Sequence, residues 1–133
     1  MPKQPRVRVT DAELAVLEVL WKRGLLSIRE LADALYPGGG LSEYATVQKL
    51  LERLEGKACV SRDRTSFAHT FSTRVERGDL IGHELEELAA KLCDGSFTPL
   101  LVHLVRSRKL REEDRAELRR MLEDEERGKR RKP

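Results

Sequence analysis

"LSEYATVQKLLERLEGKACVSRDR", residues 41–64, changes its period part-way along. Tyr44, Val47, Leu50, Leu51 and Leu54 fall within one arc when residues are placed every 100°, which predicts an amphipathic helix, and Gly56 is expected to close it. After Lys57 the helical spacing is gone. In "ACVSRDRTSFAHTFS" (58–72), short runs with β-branched or aromatic residues flank the polar "RDRTS", the pattern of a two-stranded hairpin with a basic tip.

The segments ahead of this stretch supply two more helices. Thr10 and Glu13 form a T-x-x-E capping box, after which Leu14, Leu17, Leu20 and Trp21 recur at helical spacing until Gly24, giving a helix over about 11–23. Ser27 and Glu30 repeat the box, with Ile28, Leu31, Ala32 and Leu35 as the apolar stripe. "YPGGG" (36–40) ends that helix, because proline and three glycines cannot extend it. Three short helices followed by a hairpin wing make the fold mostly α: a winged helix-turn-helix over residues 10–73, preceded by a basic flexible arm over 1–9.

Beyond residue 74 the chain reads as helix with few turn signals. Ile81, Leu85, Leu88 and Leu92 are spaced four, three, four, a coiled-coil-like stripe on a helix of about 75–93. "PLLVHLV" (99–105), with Leu101 and Leu104, and a third segment with Leu118, Met121 and Leu122 follow after short breaks. No such helix buries its stripe alone, and so thin a unit is most economically completed by a second copy. Residues 74–126 are therefore expected to be a helical dimerisation domain. The tail "RGKRRKP" (127–133) lacks apolar residues and is expected to be disordered.

Composition bounds the function. With 133 residues the chain holds one ordinary domain or two small ones, too little for a large enzyme with a deep cleft. The 26 Lys+Arg nearly balance 23 Asp+Glu, so the placement of charge, rather than the net +3, must identify a partner. Cys59 and Cys93 stand singly without His at ligand spacing, which argues for reduced thiols and against a zinc or copper site; no cofactor is expected. His69, His83 and His103 are scattered without a catalytic partner, and "GGG" lacks the Lys of a phosphate loop, so the chain is not expected to be an enzyme. No apolar run approaches the roughly 18 residues of a membrane span, and the amino terminus lacks a signal segment; a cytoplasmic protein without direct membrane binding is expected.

Opposite the apolar arc, the third helix carries Ser42, Ala45, Lys49 and Glu52, flanked by Thr46, Gln48 and Arg53. The first half of this face is small and polar, which suits a major groove. Thr46 can meet a phosphate or a thymine methyl, Gln48 can pair with adenine, and Lys49 can reach guanine acceptors or the backbone. Arg62 and Arg64 at the hairpin tip, and Lys3, Arg6 and Arg8 in the arm, add candidate phosphate contacts. The competing reading is a winged-helix module that holds a protein partner through the same helix or wing.

Four stretches, "ELAVLEVLW" (13–21), "ATVQKLLERLEGKACVSRDR" (45–64), "FAHTFS" (67–72) and "SFTPLLVHLVRSRKLREEDRAELRRML" (96–122), resemble the BlaI/MecI/CopY family of bacterial repressors, also called penicillinase repressors. The most specific part is T-V-x-x-L-L-x-R-L-x-x-K on Thr46, Val47, Leu50, Leu51, Arg53, Leu54 and Lys57. The resemblance implies a winged helix, a helical dimerisation region, and a homodimer that blocks transcription by occupying a palindromic operator in double-stranded DNA. It places the DNA contacts on Ala45, Thr46, Gln48 and Lys49 and on the wing residues Arg62 and Arg64. Copper-responsive members end in C-x-C pairs that this chain lacks, so copper sensing is not carried over. Penicillinase repressors are cut at an Asn-Phe bond on a signal from a membrane sensor protease. In "LLVHLVRS" the corresponding position is His103-Leu104, so a β-lactam response is not carried over either. The residue after Lys57 is usually glycine in the family and is Ala58 here, a change expected to matter little if Gly56 caps the helix.

Overall fold

Thr10 and Ser27 start the first two helices through reciprocal caps. The Thr10 hydroxyl accepts from the Glu13 N–H at 3.2 Å while the Glu13 carboxylate accepts from the Thr10 N–H at 2.8 Å. Ser27 and Glu30 repeat the exchange at 3.2 and 3.0 Å. Each cap satisfies donors that a helix start leaves open, stabilising it by about 1 kcal/mol. The computed structural model describes residues 8–131 and contains α1 (Asp11–Arg23), β1 (Leu26–Ser27), α2 (Ile28–Leu35), α3 (Leu41–Gly56), β2 (Val60–Asp63), β3 (Thr70–Thr73), α4 (Arg77–Leu92), α5 (Thr98–Arg106) and α6 (Glu112–Arg131). The fold is mostly α with a small antiparallel sheet, the winged helix-turn-helix that the spacing predicts, followed by helices. Lys3 and Arg6 of the expected arm lie outside the described residues.

The wing has one strand more than expected. Strand order is β1-β3-β2, so β3 is central: Leu26 pairs with Phe71 and Ser27 with Thr70 on one side, and Val60–Asp63 pairs with Thr70–Thr73 on the other. Two residues are too few to show an alternating pattern, which is why β1 is invisible in the sequence. Its pairing fastens the α1–α2 connection to the wing. Buried Leu26 and Phe71 join Val16, Leu17 and Leu20 of α1, Leu31 of α2, and Val47, Leu51 and Leu54 of α3 in one core. Each such side chain contributes about 2 kcal/mol on burial, so the stripes predicted for the three helices are the faces that meet.

The end of α3 departs from expectation. Gly56 is the last helical residue, not a left-handed stop, and Lys57 at the cap has φ −85°. The left-handed residue is Ala58, with φ +61°. The Ala58 N–H donates to the Glu55 carbonyl at 3.0 Å and the Cys59 N–H to the Leu54 carbonyl at 2.9 Å, the paired bonds of a glycine-type helix stop. Alanine holds that position because Cys59, Val60 and the sheet behind them are buried and fix where the chain must turn.

The chain divides into two compact units, Met1–Leu85 and Glu86–Pro133, with the division inside α4 rather than at residue 74. The cause is packing: Val75 and Leu80 belong to the winged-helix core, the Trp21 Nε1–H donates to the Val75 carbonyl at 2.8 Å, and the Arg77 guanidinium lies 4.8 Å from the centre of the Trp21 ring. In the second unit α5 has no buried residue, and among the described residues only Ala89 is buried. The α6 helix continues through Arg127 to Arg131, where a disordered tail is expected from composition. Arg, Lys and Glu are good helix formers, and no proline intervenes before Pro133.

Candidate nucleic-acid interface

Val47, Leu50, Leu51 and Leu54 anchor one side of α3 in the core, which forces the opposite side outward. Ser42, Ala45, Thr46, Gln48, Lys49, Glu52 and Arg53 are all exposed, so the helix presents the polar face read from the sequence. Two details alter its chemistry. The Thr46 hydroxyl donates to the Ser42 carbonyl one turn back at 3.0 Å, so its proton is spent within the helix, and its methyl and oxygen lone pairs remain to meet a ligand. Glu43, a carboxylate that could repel phosphate, instead accepts from the Gly40 N–H at 2.8 Å and serves as a helix cap. Gly39 makes room for it, since a Cβ there would stand 2.7 Å from the Glu43 Cγ.

The two wing arginines separate. Arg62 is not at the tip: it lies in β2 opposite Phe71, and its side chain turns inward. Its Nη2 donates to the Glu55 carboxylate of α3 at 3.1 Å, and its guanidinium sits 4.9 Å from the centre of the Phe71 ring. Register is the reason. Val60 is buried, Arg62 follows two residues later on the same face, and Glu55 and the Phe71 ring supply the charge and the π-face that an inward guanidinium needs. Arg62 therefore ties the wing to α3 and lies within β2, not at the hairpin tip where the sequence places it. Arg64, just past the strand, has a side chain 66% exposed and only a 4.0 Å approach to Glu55. Asp63 at the wing's turn accepts from both the backbone N–H and the hydroxyl of Thr65, bonds that lower its pKa and fix the turn.

A buried ion pair escaped the sequence reading. Glu13 is wholly buried, and the Lys57 ammonium donates to it at 2.8 Å and to the Arg8 carbonyl at 2.8 Å. Burial pushes the Glu13 pKa up, but the Lys57 bond, the two Thr10 bonds and the Lys57 charge outweigh it, and the pKa is lowered. The signal was available: Glu13, Val16, Leu17 and Leu20 are one stripe, so position 13 is a core position, and a core carboxylate requires a cation. Arg8, expected to be free for phosphate, has its backbone fixed by this pair, although its side chain is exposed.

In the helical region, Ile81, Leu85, Leu88, Leu92, Leu101, Leu104, Leu118, Met121 and Leu122, the residues expected to form an interface, are all exposed. His103 and Leu104 lie in the middle of α5, with the His103 carbonyl accepting from the Ser107 N–H at 2.9 Å. No group of His, Cys, Asp or Glu among the described residues could hold a metal ion. No helix among them is long and apolar enough to cross a membrane.

The fold and site define a winged helix-turn-helix protein that presents a polar third helix beside a basic wing. The chain belongs to the penicillinase repressor family, which it matches over residues 9–124. It is 23% identical to a penicillinase repressor of Bacillus licheniformis over 124 residues, 93% of this chain and 94% of that one. It is 34% identical to a transcriptional regulator BlaI of Mycobacterium tuberculosis over 100 residues, 74% of this chain and 72% of that one.

Proposed function

We propose that this chain is a transcriptional repressor that binds a palindromic operator as a homodimer and blocks transcription by occupying it. The observation that carries the reading is the exposed small and polar first half of α3, in a chain of the repressor family whose wing presents an exposed Arg64 near the other end of that helix. In this reading Ala45, Thr46, Gln48 and Lys49 enter the major groove. Gln48 and Lys49 make hydrogen bonds to base edges, and the Thr46 methyl meets a thymine. Arg64 contacts phosphate, and Arg53 lies close enough to the same helix face to add a second phosphate contact.

Dimerisation follows from the helical region. A single chain leaves the α4, α5 and α6 stripes in water, whereas a two-fold pairing covers each stripe with a copy of the same surface. Two α3 helices so joined fit two half-sites related by the same symmetry. No cofactor enters this mechanism. Release requires an event that separates or reorients the two copies.

The test is selection of duplexes from a random pool with the full chain, followed by titration of the winner and a scrambled control at two salt concentrations. The expected winner is a palindrome bound far more tightly than the control, with affinity falling steeply as salt rises. Lys49→Ala should weaken the selected duplex by about 1–3 kcal/mol and relax its sequence preference, and Arg64→Ala should weaken every duplex alike and lower the salt slope by about one. Enrichment of no sequence would defeat the proposal.

A further inference from the structure

Phe67 is the most exposed large apolar side chain in the described chain, standing wholly in solvent between β2 and β3. A ring placed there forgoes about 2–3 kcal/mol of burial. Its neighbours Thr65, Ser66 and Ala68 add no apolar bulk, so it is a single wedge and not part of a patch that would suit a protein partner. Residues 64–75 contain no acidic residue, and the Asp63 carboxylate just before them is turned onto Thr65, so Asp63 is the one acidic group at the tip and its Oδ1 is engaged by the turn. Arg64 stands exposed three residues away. The Asp63–Thr65 bonds set the turn that carries the ring, and Arg62 ties the strand beneath it to α3.

We propose that Phe67 enters the minor groove beside each half-site and packs its ring on the deoxyribose walls, giving the repressor a dependence on base pairs that α3 never touches. This inference rests on the DNA-binding reading above. A lone apolar wedge with one exposed arginine, Arg64, three residues away suits a groove whose rims are phosphate and whose walls are sugar. The 2-amino group of guanine stands in the floor of that groove, so the ring should fit A·T or inosine·C pairs and be hindered by G·C.

Duplexes from the selection are rebuilt with each flanking base pair as G·C or inosine·C, a change that removes the minor-groove amino group and leaves the major-groove face intact. The full chain should bind the inosine duplex about tenfold more tightly at the flank where the wing lands, equivalent to about 1.4 kcal/mol. Phe67→Ala should bind the two duplexes alike, Phe67→Leu should keep part of the preference, and Lys49→Ala should keep all of it while losing the half-site preference. A Phe67→Ala variant that discriminates between the flanks as the parent does would overturn the inference. So would a parent chain that selects a half-site and ignores every flank. If the parent binds no duplex at all, the DNA-binding reading fails with it.

Discussion

Ala58 holds a backbone angle, φ +61°, that costs an L-residue about 1 kcal/mol and costs glycine nothing. No atom of the stop motif depends on its methyl, because both hydrogen bonds run through the backbone. Ala58→Gly should therefore stabilise the chain by about 0.5–1 kcal/mol, seen as a higher denaturant midpoint with an unchanged slope. Glu13 gives a pH signature. Its carboxyl, ordinarily at 4.5, is lowered on folding. A group whose folded value lies below its unfolded one binds fewer protons when folded, so its stabilisation is present above about 4.5 and is lost as pH falls through the folded value. Lys57→Met removes the partner and leaves a buried carboxylate. It should cost about 3 kcal/mol at neutral pH and make the acid limb of a stability-versus-pH curve shallower. An acid limb identical to the parent's would show that Lys57 does not hold Glu13 ionised.

At the scale of elements, the relation of the wing to α3 hangs on one side chain. Arg62 bridges β2 to Glu55 while covering Phe71, and its inward direction was set by strand register. Arg62→Ala should loosen the wing, uncover the Phe71 ring and lower stability by about 1–2 kcal/mol. Its effect on DNA affinity should leave the salt slope unchanged, because no phosphate contact is lost; a slope reduced by about one would return Arg62 to the phosphate-contacting set. By the strand's period of two Arg64 would share the face of Arg62, but it lies past the last ladder pair, where the strand no longer fixes its direction, and its side chain is 66% exposed.

For the whole molecule, the exposed stripes of the second unit define the expected behaviour. Leu88 and Leu118 are each about two-fifths exposed in the single chain, so a carboxylate placed there can reach water at the face proposed to be covered by the second copy. Leu88→Glu and Leu118→Glu together should leave the winged helix folded and convert the proposed dimer to monomer in sedimentation at micromolar concentration. Affinity for the selected palindrome should fall by about 10²–10⁴-fold, since two half-sites then bind independently. A double variant that still sediments as a dimer would place the interface elsewhere.

The sequence by itself determined the three helices of the winged helix and their apolar sides. Capping boxes at Thr10 and Ser27 and the stripe through Val47, Leu50, Leu51 and Leu54 are local signals, carried by residues within one or two turns. The outward polar face of α3 was legible for the same reason: once the apolar arc is known, geometry leaves its opposite nowhere else to point. Only the tertiary structure decided which charges were spoken for. Glu13 meets Lys57 across 44 residues, Arg62 meets Glu55 across the corner between helix and wing, and β1 exists only because β3 arrives beside it. Helical and strand spacing could mark Glu13 and Arg62 as inward positions, but which partner meets each, and the angle forced on Ala58, are properties of the assembled core that no local spacing records.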